Sequence, residues 1–210
     1  MKLTAERIIE AGMAVFAESG YHGLSMRKVA QRLDVHAGSL YYHVAGKAEL
    51  VRLMADRVAR EAYEAGTTAL AALDPEARWQ QRVEAQLVAL RRTIRRHPGG
   101  AVMFADSPKV LSTGALTLME RLLETLREAG LPAGHGGVGA DALLSHVTGF
   151  VLQEQSESPS VAIGVEESAA LRERYPMTVA AAFAVGADEK YVRSVRLLCA
   201  GLETLLAQAP

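Results

Sequence analysis

The stretch SMRKVAQRLDVHAGSLYYHVAGK, residues 25–47, determines the fold because it contains two short helical patterns joined by a tight turn. Ser25 is a favourable N-cap for the first pattern, whose apolar residues share one face while its basic residues point outward. Residues 34–35 form the turn, and the second short helix is expected to span about 37–43. A longer helical pattern precedes the pair, so the segment has the layout of a helix-turn-helix.

The second short helix is rich in small and hydrogen-bonding side chains. In a helix-turn-helix this helix lies in the major groove of DNA, with its N-terminal residues against base edges. The small residues 37–39 allow a close approach, and the hydroxyl and imidazole groups of 41–43 can bond phosphate oxygens. Lys47 begins the next helix, whose positive end also favours a phosphate. Taken alone, the segment also fits an ordinary connecting helix; the supporting first helix and the basic second helix favour DNA binding.

The composition of the 210 residues restricts the class of protein. Hydrophobic residues make up 50% of the chain but aromatic residues only 5%, so Ala, Leu and Val supply the core and favour helices. Because the net charge is only -1, any DNA contact must come from a local basic patch. The single cysteine, Cys199, excludes an internal disulfide. No apolar run is long enough for a membrane span, and we expect a cytoplasmic protein.

Helical periodicity continues along the chain, without a strand pattern, a heptad array or an internal repeat. Thr4 is the expected N-cap of the first helix, and Gly20 ends that helix. The glycine-rich segment 131–139 is expected to connect two helices. Further helices are expected at about 4–19, 47–65, 76–96, 108–130, 140–155 and 188–208, with short helices around Pro176 in 165–186. The fold class is therefore all-α, with a small N-terminal unit and a larger C-terminal bundle.

Residues 5–50 resemble the DNA-binding domain of the TetR family of repressors, because they match the pattern F…GY.G.S.R.VA..L.V..GSLY.H...K..L. The stretches RWQQRVEAQLVALRRTIRRHPGGA, GFVLQEQ and CAGLETLL are similar in order and spacing to the C-terminal domain of the tetracycline repressor subgroup. This resemblance implies a three-helix helix-turn-helix DNA-binding domain (1–48), a linking fourth helix (about 47–65) and a helical bundle for ligand binding and dimerisation (66–210).

The resemblance also implies which residues contact DNA. The implied contacts are Arg27, Ala37, Gly38, Ser39, Tyr41, Tyr42, His43 and Lys47. At Met26 the chain departs from the tetracycline repressor, which has a polar contact residue at that position.

A small-molecule pocket in the larger domain is a further implication of the resemblance. Phe104 and Gln153 stand where the tetracycline repressor has the histidine and the glutamate that engage magnesium-tetracycline. A phenyl ring has no lone pair and an amide is a poor magnesium ligand, so we expect a different inducer. The predicted pocket residues are Tyr63, Gln86, Leu90, Met103, Phe104, Leu122 and Gln153. The apolar members fit the bundle core equally well, whereas the two glutamines are stronger candidates because a buried amide needs a partner.

The sequence predicts no cofactor, no metal site and no catalytic site. The six histidines lack metal-ligand spacing. The glycines of 131–139 are not followed by the Lys-Ser or Lys-Thr of a phosphate-binding loop, and no serine lies in a nucleophile-elbow pattern. An enzyme is therefore the weakest of the possible functions.

We expect a homodimer, because paired helix-turn-helix units about 34 Å apart read the two half-sites of a palindromic operator. The expected interface is a four-helix bundle of about 140–155 and 188–207 from each chain, since the apolar surface of the last helix exceeds what one neighbour covers. The predicted partners are double-stranded DNA, a small-molecule inducer and a second copy, with no membrane. The predicted function is a sequence-specific transcriptional regulator, a repressor released by its inducer. The alternative is an all-helical small-molecule-binding protein that no longer binds DNA.

Overall fold

A computed structural model describes residues 2–106, 112–156 and 165–207. Over these ranges the chain forms eleven α-helices and no strand, so the predicted all-α class is confirmed. The helices are α1 (Ala5–Gly23), α2 (Met26–Leu33), α3 (Ala37–Leu40), α4 (Lys47–Ala71), α5 (Trp79–Arg96), α6 (Gly100–Asp106), α7 (Thr113–Glu128), α8 (Ala133–Gln155), α9 (Val165–Arg174), α10 (Pro176–Phe183) and α11 (Ala187–Ala207). Helices α1–α3 form a head, and α4 connects it to a body of α5–α8 and α11. None of the described helices is long and apolar enough to cross a membrane.

The first two helices begin at their predicted N-caps. The hydroxyl of Thr4 accepts the N–H of Arg7 at 3.4 Å. That of Ser25 accepts the N–H of Lys28 at 3.3 Å. Each bond satisfies one of the backbone donors that a helix leaves free at its start. Asp34 ends α2 in the left-handed conformation, with φ 54°, and so forms the predicted turn.

Two boundaries in the head differ from the prediction. Gly20 takes φ 64° and interrupts α1 at the predicted end, but the assigned helix continues to Gly23. The predicted end of α3 at His43 was wrong, because the helix ends at Leu40 and turns follow it. The N–H of Val44 still bonds the carbonyl of Leu40 at 2.9 Å, so the chain stays tightly wound through residues 41–43.

Helix α4 is the centre of the molecule, because it contacts α1 in the head and α5, α6 and α7 in the body. A Cβ atom added to Gly12 of α1 would lie 3.0 Å from Met54 Sδ. One added to Gly114 of α7 would lie 2.7 Å from the carbonyl oxygen of Asp56. Glycines on both neighbours therefore let α4 pack at short distance, and a larger residue would force it away.

Several boundaries in the body were also predicted wrongly. Helix α4 continues to Ala71 rather than ending near residue 65, and α6 was not predicted. Helix α5 begins at Trp79 rather than residue 76, because the Asp74 carboxylate accepts the N–H of Glu76 at 2.8 Å and closes a turn there. Helix α7 begins after Ser112, which caps it. The predicted start of that helix at Pro108 lies outside the described residues.

The prediction that 131–139 connects two helices was wrong, because α8 begins at Ala133. Glycine disfavours an isolated helix. Here Gly139 packs against α11, where an added Cβ would lie 2.7 Å from Leu202 Cδ2. Close packing of α8 on α11 therefore outweighs the low helix propensity. Helices α9 and α10 flank Pro176 as predicted, and α11 matches the predicted last helix.

A buried carboxylate, that of Asp56, joins α4 to the start of α7. One of its oxygens accepts the Ser112 hydroxyl at 2.9 Å and the N–H of Gly114 at 2.7 Å. The other lies 3.0 Å from Arg60 Nε. Burial by itself raises the pKa of Asp56, but these hydrogen bonds and the positive charge of Arg60 outweigh it and hold that pKa below the ordinary value. The carboxylate therefore fixes the start of α7 in its ionised form.

We predict that Asp56→Ala lowers the free energy of unfolding by about 2–3 kcal/mol, because it leaves the buried donors of Ser112 and Gly114 without an acceptor. Urea denaturation at pH 7 measures the loss. Glu124→Ala, at an exposed position of α7, is the control and should change stability by less than about 0.5 kcal/mol.

The effect of Asp56→Ala is also expected to depend on pH. A carboxylate with a depressed pKa contributes its stability above the ordinary pKa and loses it as the pH falls through the lower folded value. The difference in the free energy of unfolding between the wild type and Asp56→Ala should therefore have its full value above about pH 5 and become smaller below about pH 4. A difference that stays constant down to pH 2.5 would contradict the ionised role of Asp56.

Candidate functional sites

Helix α3 and the turn after it divide their side chains between the core and the surface. Leu40 and Val44 are buried and anchor the segment. Tyr42 is 91% exposed and Tyr41 54%, and His43 is exposed as well. Large aromatic side chains that reach the solvent next to buried anchors are available for a ligand rather than for the core.

The remaining predicted DNA contacts lie on the same head. Gly38 is exposed, and Ala37 and Ser39 are half-buried at the start of α3. Arg27 is exposed on α2 and makes no ion pair within the part of the chain that the structure describes. Arg32 of the same helix, by contrast, pairs with Glu18 at 2.7 Å. Arg27 is thus available to an external anion.

Lys47 is the one predicted DNA contact that is engaged inside the head. Its Nζ donates to the carbonyl oxygen of Tyr21 at 2.7 Å and lies 4.2 Å from the centre of the Tyr21 ring. This contact ties the start of α4 to the end of α1. An ammonium has three donors, so Lys47 keeps the capacity for a phosphate, and that role stays a prediction.

A chain of ion pairs and a hydrogen bond joins the head to the body along α4. Arg57 pairs with Glu6 of α1 at 2.8 Å and with Glu61 of its own helix at 3.2 Å. The other oxygen of Glu61 lies 2.8 Å from His97 Nε2, at the end of α5. Burial raises the pKa of Glu61, but the bonds and charges of His97 and Arg57 outweigh it and hold that pKa below its ordinary value.

Most of the predicted pocket residues lie in the core of the body. The buried members are Gln86, Leu90, Met103, Phe104 and Leu122, and Tyr63 is half-buried. Phe104 also lines an apolar cavity of about 260 Å³ between α6, α7 and α8, together with Leu118 and Met119. The two candidate glutamines behave differently, since Gln86 is buried and Gln153 is not.

Gln153 does not join this group, because its side chain is exposed on α8. The reason for selecting it, a buried amide in need of a partner, therefore does not hold. The two residues that follow it point inward instead. Glu154 accepts two hydrogen bonds from Arg91, and Gln155 accepts the N–H of Ala101 at 3.0 Å.

Arg121 of α7 contacts two of the predicted pocket residues, Gln86 and Tyr63. It was not predicted from the sequence. Its Nε donates to Gln86 Oε1 at 3.1 Å, and its Nη1 donates to the carbonyl oxygen of Tyr63 at 2.8 Å and to Thr67 Oγ1 at 2.9 Å. The guanidinium lies 4.2 Å from the centre of the Tyr63 ring. Burial lowers the pKa of Arg121.

A signal for Arg121 exists in the sequence. It lies three residues after Leu118 and four before Thr125, and both of those residues are buried. Residues at this spacing share one face of a helix. A basic residue within the buried stripe of α7 is therefore unusual, but the sequence did not show which groups would surround it.

Among the described residues, no group of three His, Cys, Asp or Glu side chains converges as metal ligands. Phe104 is buried beside a mainly apolar cavity, and the side chain of Gln153 is exposed on α8. Neither a phenyl ring nor an amide is a good magnesium ligand, so the expectation of an inducer other than magnesium-tetracycline stays a prediction.

Two family profiles match the chain. The profile described as "Bacterial regulatory proteins, tetR family" covers residues 8–54, and "Tetracyclin repressor-like, C-terminal domain" covers residues 71–206. The chain belongs to the TetR family. The head described above is thus the helix-turn-helix of a TetR-family regulator, and the body is its regulatory domain.

Known relatives of this TetR-family chain are also regulators. The HTH-type transcriptional repressor DrrR1 of Streptomyces coeruleorubidus is 34% identical over 129 residues, which cover 61% of this chain and 45% of DrrR1. An HTH-type transcriptional regulator of Saccharopolyspora erythraea is 29% identical over 210 residues, 95% of this chain and 84% of that protein. Apo ActR of Streptomyces coelicolor superposes with a TM-score of 0.82 at 26% identity, over 100% of this chain and 99% of ActR. ActR has also been solved in complex with (S)-DNPA and with actinorhodin.

We predict that Lys47→Met lowers the free energy of unfolding by about 1–2 kcal/mol, because it removes a charged hydrogen bond and a cation–π contact between α4 and α1. Urea denaturation without DNA measures the loss. Arg27→Met removes an exposed charge from the same head and should leave stability within about 0.5 kcal/mol. Equal stability of the two variants would show that the Tyr21 contact does not hold the head together.

Proposed function

We propose that this regulator is a repressor that binds a palindromic operator as a homodimer and leaves it when a small molecule binds. The observation that carries the proposal is the surface of α3 and its turn, where Tyr41, Tyr42 and His43 are exposed above the buried Leu40 and Val44. In a helix-turn-helix this surface enters the major groove. We assign residues 1–48 to DNA binding and 66–210 to ligand binding and dimerisation.

Dimerisation through α8 and α11 is supported by the apolar and small residues that these helices expose. Leu197 is 73% exposed on α11 and Val138 is 70% exposed on α8. Ala142 and Gly201 are exposed as well, and a Cβ on Gly201 would contact nothing within 4 Å. Exposed leucine and valine beside small residues suit a helix bundle with a second copy, because small residues allow the helices to approach.

The inducer we propose is an organic molecule other than magnesium-tetracycline, since Phe104 and Gln153 do not provide magnesium ligands. The apolar cavity beside Phe104 and the polar group around Gln86 and Tyr63 are the two parts of the proposed site. The complexes of ActR with (S)-DNPA and actinorhodin support an organic inducer for a similar fold. Because a repressor must reach its operator DNA, we place the protein in the cytoplasm.

The proposed signal travels along α4. This helix holds the head through Lys47 and Arg57, and its middle carries Tyr63 next to Arg121. A ligand that prefers one position of α4 over another changes the spacing of the two heads in a dimer. A coupling of about 1–3 kcal/mol, the usual range for allosteric proteins, changes the operator affinity by roughly 5–150-fold.

We predict that Arg27→Ala and Tyr42→Ala each weaken binding to a duplex selected from a random pool by about tenfold or more, because each removes a hydrogen bond to DNA. Arg27→Ala should also reduce the dependence of affinity on salt by about one unit of the logarithmic slope. Fluorescence anisotropy at several salt concentrations measures both effects.

The matched controls for these variants lie outside the head. Arg127→Ala and Tyr175→Ala remove an exposed arginine of α7 and an exposed tyrosine before α10, and both should bind the duplex like the wild type. If the wild type selects no duplex even at low salt, the protein is instead a small-molecule-binding protein that no longer binds DNA.

We predict that Leu197→Asp converts the protein from a dimer to a monomer at micromolar concentration, because it buries an unpaired carboxylate in the proposed bundle. Size-exclusion chromatography with light scattering measures the mass. Tyr41→Asp places the same charge on the head and should remain dimeric. A wild type that is monomeric, or a Leu197→Asp variant that stays dimeric, would contradict the proposed interface.

A further inference from the structure

Arg121 is a half-buried cation that has no counter-charge among the described residues. Its three hydrogen bonds go to neutral acceptors: the amide of Gln86, the carbonyl oxygen of Tyr63 and the hydroxyl of Thr67. No carboxylate lies within ion-pair distance of Arg121 in the described ranges. Its Nη2 is buried and has no hydrogen-bond partner among the same residues. A buried donor without a partner is rare and calls for a physical explanation.

Arg91 shows how the same body neutralises a structural arginine. It is buried like the pocket residues, and its Nη2 lies 2.5 Å from Glu154 Oε1 and 2.7 Å from Asp188 Oδ1. Two carboxylates thus offset the cost of removing this charge from water. Arg121 is only half-buried, but its buried Nη2 has no such compensation among the described residues. The difference indicates that Arg121 is retained for a ligand rather than for the stability of the free protein.

The surroundings of Arg121 suit an acidic ligand with an apolar body. Leu118, one turn before Arg121 on α7, lines the apolar cavity of about 260 Å³ beside Phe104. The exposed Asp141 also lines this cavity, and Arg121 itself does not. A guanidinium binds a carboxylate through two parallel N–H bonds, and such charged pairs are stronger than the bonds between neutral groups that Arg121 now makes. An acid group can therefore draw Arg121 away from its present partners.

We propose that the inducer is a small apolar carboxylic acid, or a compound with an equally acidic group, and that Arg121 recognises its negative charge. The proposal rests on the function proposed above for the identity of this site. Binding of such an acid to Arg121 would also change the contacts of α4. Nη1 of Arg121 bonds Tyr63 and Thr67 of α4, and Nη2 lies in a notch beside Gly66, where an added Cβ would be only 2.2 Å away. An acid that pairs with Arg121 removes these contacts and frees α4.

The test uses matched acids and amides of similar shape: benzoate, 2-naphthoate and anthracene-9-carboxylate, each with its primary amide. Isothermal titration to the full chain without DNA measures the dissociation constants. For the wild type we expect at least one acid to bind about tenfold or more tightly than its amide. Arg121→Met should bring the ratio of acid affinity to amide affinity close to one, because the charged partner of the acid is lost. Arg127→Met, at an exposed position of α7, should keep the preference.

Arg121→Met is expected to fold, because an apolar side chain replaces a half-buried charge that has no ion pair among the described residues. Arg121→Gln provides the same comparison should the methionine variant be insoluble. The proposal is overturned if no acid of the panel binds below millimolar concentration, if acid and amide bind alike, or if the uncharged variants keep the preference. The titration contains no DNA, so the two proposals can be contradicted separately. A preference for the acid without operator binding would contradict only the proposed repressor function. Operator binding without a preference for the acid would contradict only the proposed class of inducer.

Discussion

The close packing of α4 against glycines of two neighbours is the constraint on which the rest of the structure depends. On the head side, the side chain of Met54 packs against Gly12. On the body side, the backbone at Asp56 packs against Gly114. Because packed interiors have few voids, a helix held this closely moves with its neighbours as a unit. The same helix carries Lys47 at the head and Tyr63 beside Arg121. A ligand that shifts one of these contacts therefore acts through α4 on the DNA-binding surface.

The charges around α4 differ in how firmly they are held. Asp56 is matched by two hydrogen-bond donors and Arg60, and Arg57 and His97 share Glu61. These groups form satisfied networks that fix the helix. Within the part of the chain that the structure describes, Arg121 bonds neutral acceptors on α4 and leaves one nitrogen without a partner. In a low-dielectric interior a satisfied network is rigid, whereas an incompletely satisfied one is the point at which a ligand can compete.

Much of the fold was predictable because its signals are local. Thr4, Ser25 and Asp34 act where the sequence placed them, since capping and turn formation involve only residues a few positions apart. The wrong predictions depend instead on the three-dimensional surroundings of a residue. The glycine-rich start of α8 is helical because Gly139 meets Leu202 of α11, sixty-odd positions along the chain. Gln153 was predicted to be a buried amide, whereas it is exposed and the next residue, Glu154, is half-buried; neighbouring side chains on a helix point about 100° apart.

The sequence by itself determined the all-α class, the helix-turn-helix and its outward aromatic residues, because the spacing of apolar and polar residues sets which face of each helix is buried. It also carried the family pattern that the whole-chain matches confirm. Only the tertiary structure decided that Gln86 and Tyr63 contact Arg121, and that Arg91 has counter-charges while Arg121 has none among the described residues. These contacts join residues on different helices, and no local spacing specifies which charges a buried guanidinium will find within reach.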